Sequence, residues 1–264
     1  MTLVLLSIAV IIPLIIGKLL VALCCHEPSV SVHTFWWQWW LAIGIGLGMA
    51  SLTTFGTLVV AGAAQRVVTC CFELIMLWGL LRIRSSRNRP LFQHSSQQIH
   101  QERPTRLSQI VSVAFIVSLV FAIGLFILRS LENPHGEPDA WYLWNSCARF
   151  LFRSQERWKE AFAQGSWSHP DYPLLIPANV VRLWSYMGQE SLLSPVIIAF
   201  AFTFATIGLL TSSLSLLRGR TQGLIGGLIL VAKVRMISNP LSKRNVFSGD
   251  IFLFSILLPR FSNS

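Results

Sequence analysis

Long apolar runs separated by short polar stretches dominate the chain. The runs cover 3–23, 38–62, 66–83, 108–130 and 192–217, and a sixth at 222–236 is interrupted by Lys233 and Arg235. About 20 mostly apolar residues cross the hydrocarbon core of a bilayer. Backbone groups in lipid must be satisfied within the segment, and no alternating pattern points to a barrel. The pattern therefore predicts an all-α, polytopic helical membrane protein with five or six spans and one large extracytoplasmic loop carrying amphipathic helices. The first run lacks a basic leader and exceeds the apolar core of a signal peptide, so it reads as a retained helix.

Charge sets the expected orientation. The chain carries 21 Lys and Arg against 11 Asp and Glu, a net charge of +10, yet only 12% of its residues are charged. Arg82, Arg84, Arg87, Arg89, Arg103 and Arg106 crowd the stretch from the end of the third run to the start of the fourth. Such crowding marks a cytoplasmic loop, with anionic headgroups as neighbours. A nucleic-acid face would need a folded soluble module, and no stretch is long enough for one. The expected organisation is transmembrane helices over 1–83, a basic cytoplasmic loop at 84–106, a span at 107–130, an extracytoplasmic loop at 131–191, further spans over 192–236 and a tail of mixed character at 237–264. "RGR" at 218–220 places a second basic turn on the inner side, whereas the loop at 24–37 has no Lys or Arg and leaves the first span's direction open. "FWWQWW" at 35–40 reads as an interfacial aromatic belt.

The segment 131–191 concentrates chemistry. It holds seven of the 11 acids (Glu132, Glu137, Asp139, Glu156, Glu160, Asp171 and Glu190) and all 3 tyrosines. From Asp139 onward "DAWYLWNSCARFLFR" predicts an amphipathic helix. At helical spacing Asp139, Tyr142, Ser146, Arg149 and Arg153 share one face, opposite Trp141, Trp144, Ala148, Leu151 and Phe152. Further helical pieces are expected at about 155–164 and 178–187, separated by the turn-rich "GSWSHPDYP". Each residue also has a plain structural reading. Asp139 suits a helix N-cap, Asp171 suits a turn, and the arginines suit lipid phosphates. The paired Cys24–Cys25 and Cys70–Cys71 and the lone Cys147 lack zinc-site spacing and read as small packing residues.

The pair "GEPDAWYLWNSCARFLF" and "HPDYPLLIP" resembles the outer loop of integral-membrane GT-C glycosyltransferases, with the bacterial RgtA/B/C/D-like group nearest. Protein O-mannosyltransferases and the lipid-A aminoarabinose transferase share that broad class. The resemblance covers about a quarter of the chain, mainly 131–190. It implies sugar transfer from a polyprenyl-phosphate carrier to a glycan, lipid or protein acceptor, with inversion, at a bacterial cytoplasmic membrane. Asp139 matches the family's loop acid and would be the general base, with Asp171 and His169 beside it. Arg149, Arg153 and Arg182 would meet the lipid phosphate, and Trp141, Trp144 and Tyr172 would stack on sugar rings. No metal or other cofactor is expected, although Asp139 with Glu137 offers a loose divalent-ion site. Four of the apolar runs precede this loop here, against one span in that family, and few follow it, so the resemblance implies a truncated member. The alternative is a non-enzymatic membrane protein, such as a transporter fragment or assembly partner, for which the intramembrane Glu73, seven residues from Arg66, is the main sequence argument.

Overall fold

A computed structural model describes residues 2–25, 32–86, 105–162 and 172–237. It contains α1 (Thr2–Cys24), α2 (Val32–Ala61), α3 (Arg66–Ser86), α4 (Arg106–Glu132), α5 (Ser146–Arg153), α6 (Leu175–Met187), α7 (Leu193–Arg218) and α8 (Arg220–Ile237). A π turn at Ala140–Asn145 leads into α5, and a 3-10 helix at Gln155–Phe162 follows it. Among the described residues there is no strand.

Four helices, α1, α2, α4 and α7, are long and apolar enough to cross a membrane. The other two apolar runs of the sequence, α3 and α8, are also helical and lie against these four. Their hydropathy is lowered by Arg66, Glu73, Arg82 and Arg84 in α3 and by Lys233 and Arg235 in α8.

Helices α1 and α2 form the closest hairpin. Gly17 meets the Ala42 carbonyl, and Gly46 meets the Pro13 carbonyl, so the backbones touch where side chains would hold them apart. Small residues at such crossings let helices in lipid gain dispersion contact. Helix α4 stands at the edge, lying on α8 and meeting α7 through Phe126 against Phe200 and Phe204, in a cluster that also holds Ala122 and Ile207. Its outer face, from Leu107 and Ile110 to Leu128, is exposed and apolar, as lipid requires.

Helix α6 departs from the expectation of a surface piece. Every residue from Pro177 to Tyr186 is buried, wedged among α1, α2, α3, α5 and α7. A helix apolar on most sides is stable only when surrounded, and several polar groups of α6 find partners inside, although the buried Asn179 Oδ1 accepts no hydrogen bond among the described residues. Asn179 Nδ2 donates to the Leu47 carbonyl at 3.0 Å, and Ser185 Oγ donates to the Ala64 carbonyl at 3.0 Å. Gly188 ends α6 with φ +74°, a left-handed conformation that glycine adopts without a Cβ penalty.

The two ends of the bundle differ. The α2–α3 turn lies with Trp158 and the end of α6: Arg66 Nε donates to the Ser185 carbonyl at 3.0 Å, and Phe55 meets Trp158 edge-on at 5.9 Å. At the other end Arg220 Nη2 donates to Ser112 Oγ at 3.3 Å, which brings the α7–α8 turn with Arg218 beside the start of α4 with Arg106. Lys18 sits toward that same end, donating to Gln38 Oε1 at 3.0 Å, with its ammonium over the Trp39 ring at 5.2 Å. Arg87, Arg89 and Arg103 of the basic loop, and residues 238–264 of the tail, lie outside the described residues.

Candidate functional site

The segment between α4 and α7 does not continue the simple helical face read from its sequence. Over Ala140–Asn145 the backbone forms a π turn, and the Ser146 N–H and Oγ both reach back to the Trp141 carbonyl, five residues earlier. A bond to i−5 adds about one residue to the turn, so the 100° phase is lost between Asp139 and α5. Asp139 therefore does not share the face of Arg149 and Arg153. It stands at the start of the π turn, exposed, and its side chain makes no cap hydrogen bond. The expected N-cap role is absent. Glu137 is exposed nearby, and among the described residues no three His, Cys, Asp or Glu side chains converge as metal ligands.

The aromatic residues do come together. Trp144 stacks on Tyr172 with centroids 5.4 Å apart and planes at 23°. The two rings, with Tyr142, Leu143, Phe162 and Pro173, line a pocket of about 30 Å³, enough for about one water molecule. Trp141 is exposed beside Tyr142, at 5.9 Å between centroids, and does not line the pocket. Leu174 forms the wall between this pocket and a larger apolar groove on α2. Asp139 lines neither space. His169 and Asp171, the other two residues expected in catalysis, lie outside the described residues.

Arg149 and Arg153 converge on a residue that sequence reading left without a role. Glu190 accepts from Arg153 through both carboxylate oxygens, one of them at 2.7 Å, and lies 3.7 Å from Arg149 Nε. The Arg153 hydrogen bond, aided by both positive charges, holds the Glu190 carboxyl below its ordinary range. The cluster joins α5 to the start of α7 and keeps one net positive charge. The concentration of acids in 131–191 was the available signal, but pairing across 37 residues is not a local property.

Arg182 is placed elsewhere than expected. It is buried in the bundle, not on the surface with Arg149 and Arg153, so it offers no contact to a ligand there. Its Nε and Nη2 donate to the two oxygens of Glu73, the latter at 2.9 Å, and its Nη1 donates to the Ala9 carbonyl. Tyr186 donates its hydroxyl to Glu73 Oε2 at 2.6 Å. The Ala9 contact has a covalent cause. Four residues on, Pro13 has no N–H, so the Ala9 carbonyl lacks its ordinary helical donor. Arg182 fills that vacancy. Arg66, seven residues before Glu73, donates to the Ser185 carbonyl.

Cys147 also lines the aromatic pocket, and burial pushes its thiol up to about 11. The thiolate is the reactive form. A variant keeping only Cys147 is expected to react with a maleimide at pH 7 about a hundredfold more slowly than an ordinary thiol. The rate should keep rising past pH 9, where an ordinary thiol levels off, and a plateau at pH 9 would contradict the burial.

No family model, curated protein or solved structure matches this chain.

Proposed function

We propose that the chain is an integral membrane glycosyltransferase that moves a sugar from a polyprenyl-phosphate donor to an acceptor at the membrane surface. One arrangement carries the reading. The π turn that begins at Asp139 leads Tyr142 and Trp144 into the aromatic pocket, so a free carboxylate and two ring faces belong to one short segment. π turns recur at functional sites. In the proposed step Asp139 takes the proton of the acceptor hydroxyl while that oxygen bonds to the anomeric carbon. The anomeric C–O bond to phosphate breaks, and the lipid phosphate leaves with its electron pair. Arg149 and Arg153, held in place by Glu190, supply donors for that phosphate.

The same reading takes the basic end, with Arg106, Arg218 and Arg220, as cytoplasmic and the 133–192 end as extracytoplasmic in a bacterial cytoplasmic membrane. It counts α3 as a further span. Glu73 is the charge that lowers its hydropathy most centrally, and that charge is neutralised by Arg182. Exposed Val67, Leu74, Ile75, Trp78 and Leu81 give α3 a lipid-facing side. With α8 the total reaches six crossings.

Protein in lipid nanodiscs, supplied with a panel of labelled polyprenyl-phosphate hexoses and envelope acceptors, tests the proposal. Transfer is expected, and Asp139→Asn is expected to slow it by about a hundredfold or more. Transfer indifferent to Asp139→Asn would remove the general-base assignment, and no transfer from any donor would remove the enzyme reading. A non-enzymatic assembly partner is the second reading, favoured by the position of Asp139 outside both cavities.

A further inference from the structure

The groove on α2 has a size and a setting that specify an occupant. It is walled by Gly48, Leu52 and Phe55 of α2 and by Leu174 and Leu175 at the start of α6, and it measures about 490 Å³. All of its α2 wall lies within Thr34–Ala61, a stretch long and apolar enough to cross a membrane. Gly48 leaves this wall open: a Cβ there would meet nothing within 4 Å. Filled at about 30 Å³ for each water-sized group, 490 Å³ takes about sixteen methylene-sized units. That is one fatty acyl chain, far short of a polyprenyl chain.

The mouth of the groove carries the matching headgroup chemistry. Phe55 meets Trp158 edge-on at 5.9 Å, and Lys159 holds its ammonium 6.0 Å from the Trp158 ring centroid. Trp158 is buried and Lys159 exposed. Tryptophan followed by lysine is the ordering found where a helix bundle meets headgroups. The neighbouring Arg157 is taken by Glu160 at 2.7 Å, whereas Lys159 forms no ion pair among the described residues. The Lys159 ammonium is thus the cation open to a phosphate at this mouth.

We infer that this groove holds one acyl chain of an anionic phospholipid, with the lipid phosphate at Lys159. The inference does not rest on sugar transfer; it needs only that α2 spans a bilayer. The bound lipid covers Leu174 and Leu175 and so braces the first turn of α6, which also walls the aromatic pocket.

Native mass spectrometry of the full chain in mild detergent tests this, with phosphatidylglycerol, phosphatidylcholine or polyprenyl phosphate added to delipidated protein. One phosphatidylglycerol per chain is expected to survive activation that strips the remaining lipid. Gly48→Leu fills the groove and should abolish that retention without changing helix content or melting temperature. Gly44→Leu, at another open glycine of α2 outside the groove, should keep it. Lys159→Ala, and phosphatidylcholine with the unaltered chain, should each bind about fivefold more weakly. Retention unaffected by Gly48→Leu means annular lipid and overturns the inference. Polyprenyl phosphate displacing phosphatidylglycerol at equal concentration, with the same dependence on Gly48, also overturns it by assigning the groove to a different chain. Neither result bears on the Asp139→Asn transfer assay, which reads a different site.

Discussion

Removing the Glu73 carboxylate as Glu73→Ala is expected to destabilise the protein by about 3–5 kcal/mol. The reason is the state of what remains. Arg182 would keep its charge in a site where almost none of its surface meets solvent, and Tyr186 would lose the acceptor for its hydroxyl. Breaking a buried pair from one side leaves an uncompensated ion, whereas replacing both partners with apolar groups of similar volume is often neutral. The triple variant Glu73→Leu, Arg182→Met, Tyr186→Phe is therefore expected to recover most of the loss. One deficit survives in it: the Ala9 carbonyl no longer receives a donor, because Pro13 cannot supply one. Adding Pro13→Ala returns an N–H to that position and should recover about a further 1 kcal/mol, the worth of one intramolecular hydrogen bond. Thermal unfolding in detergent, followed by fluorescence-detected size exclusion, gives the ranking. A Glu73→Ala protein that melts like the parent would show that the pair does not hold α3, α6 and α1 together.

Enlarging either glycine at the α1–α2 crossing should be comparably damaging. The Cβ of Gly46→Ala would collide with the Pro13 carbonyl and sit 2.8 Å from its carbon, and Gly17→Ala would collide with the Ala42 carbonyl and sit 2.8 Å from the Gly46 nitrogen. These obstacles are backbone, so no rotamer change relieves them. The helices must part, and with them the Ala9 carbonyl that receives Arg182 of α6. A cost of about 3 kcal/mol is expected, at the upper end for overpacking. Gly44→Ala is the control. Its Cβ meets nothing within 4 Å, and alanine favours helix over glycine by about 1 kcal/mol, so this variant should equal or exceed the parent. Equal melting temperatures for Gly46→Ala and Gly44→Ala would refute the close crossing.

The candidate site was only partly legible in the sequence. The acids and aromatics of 131–191 marked the segment, and Trp144 and Tyr172 do meet in one pocket. The expected alignment of Asp139 with Arg149 and Arg153 failed because it assumed 3.6 residues per turn through a stretch that bonds i to i−5. Periodicity carries no warning of a π turn. The assignment of Arg182 to a ligand failed for another reason. An arginine near two aromatic residues in a loop and an arginine facing a buried glutamate look alike in one dimension.

What the sequence determined by itself is what lipid determines locally. A run of apolar residues must close its own backbone hydrogen bonds, so α1, α2, α4 and α7 follow from composition and length alone. The clustering of arginine led to the expectation that the ends near Arg106 and Arg218 share a side, and the contact of Arg220 with Ser112 brings those two ends together. Tertiary structure alone decided the partner of Glu73, which lies 109 residues away on α6, the burial of α6 itself, and the use of Glu190 by two arginines of α5. Those choices depend on which helices lie side by side. In an apolar medium many neighbours are nearly equivalent, and a few polar pairs and close glycine contacts select among them.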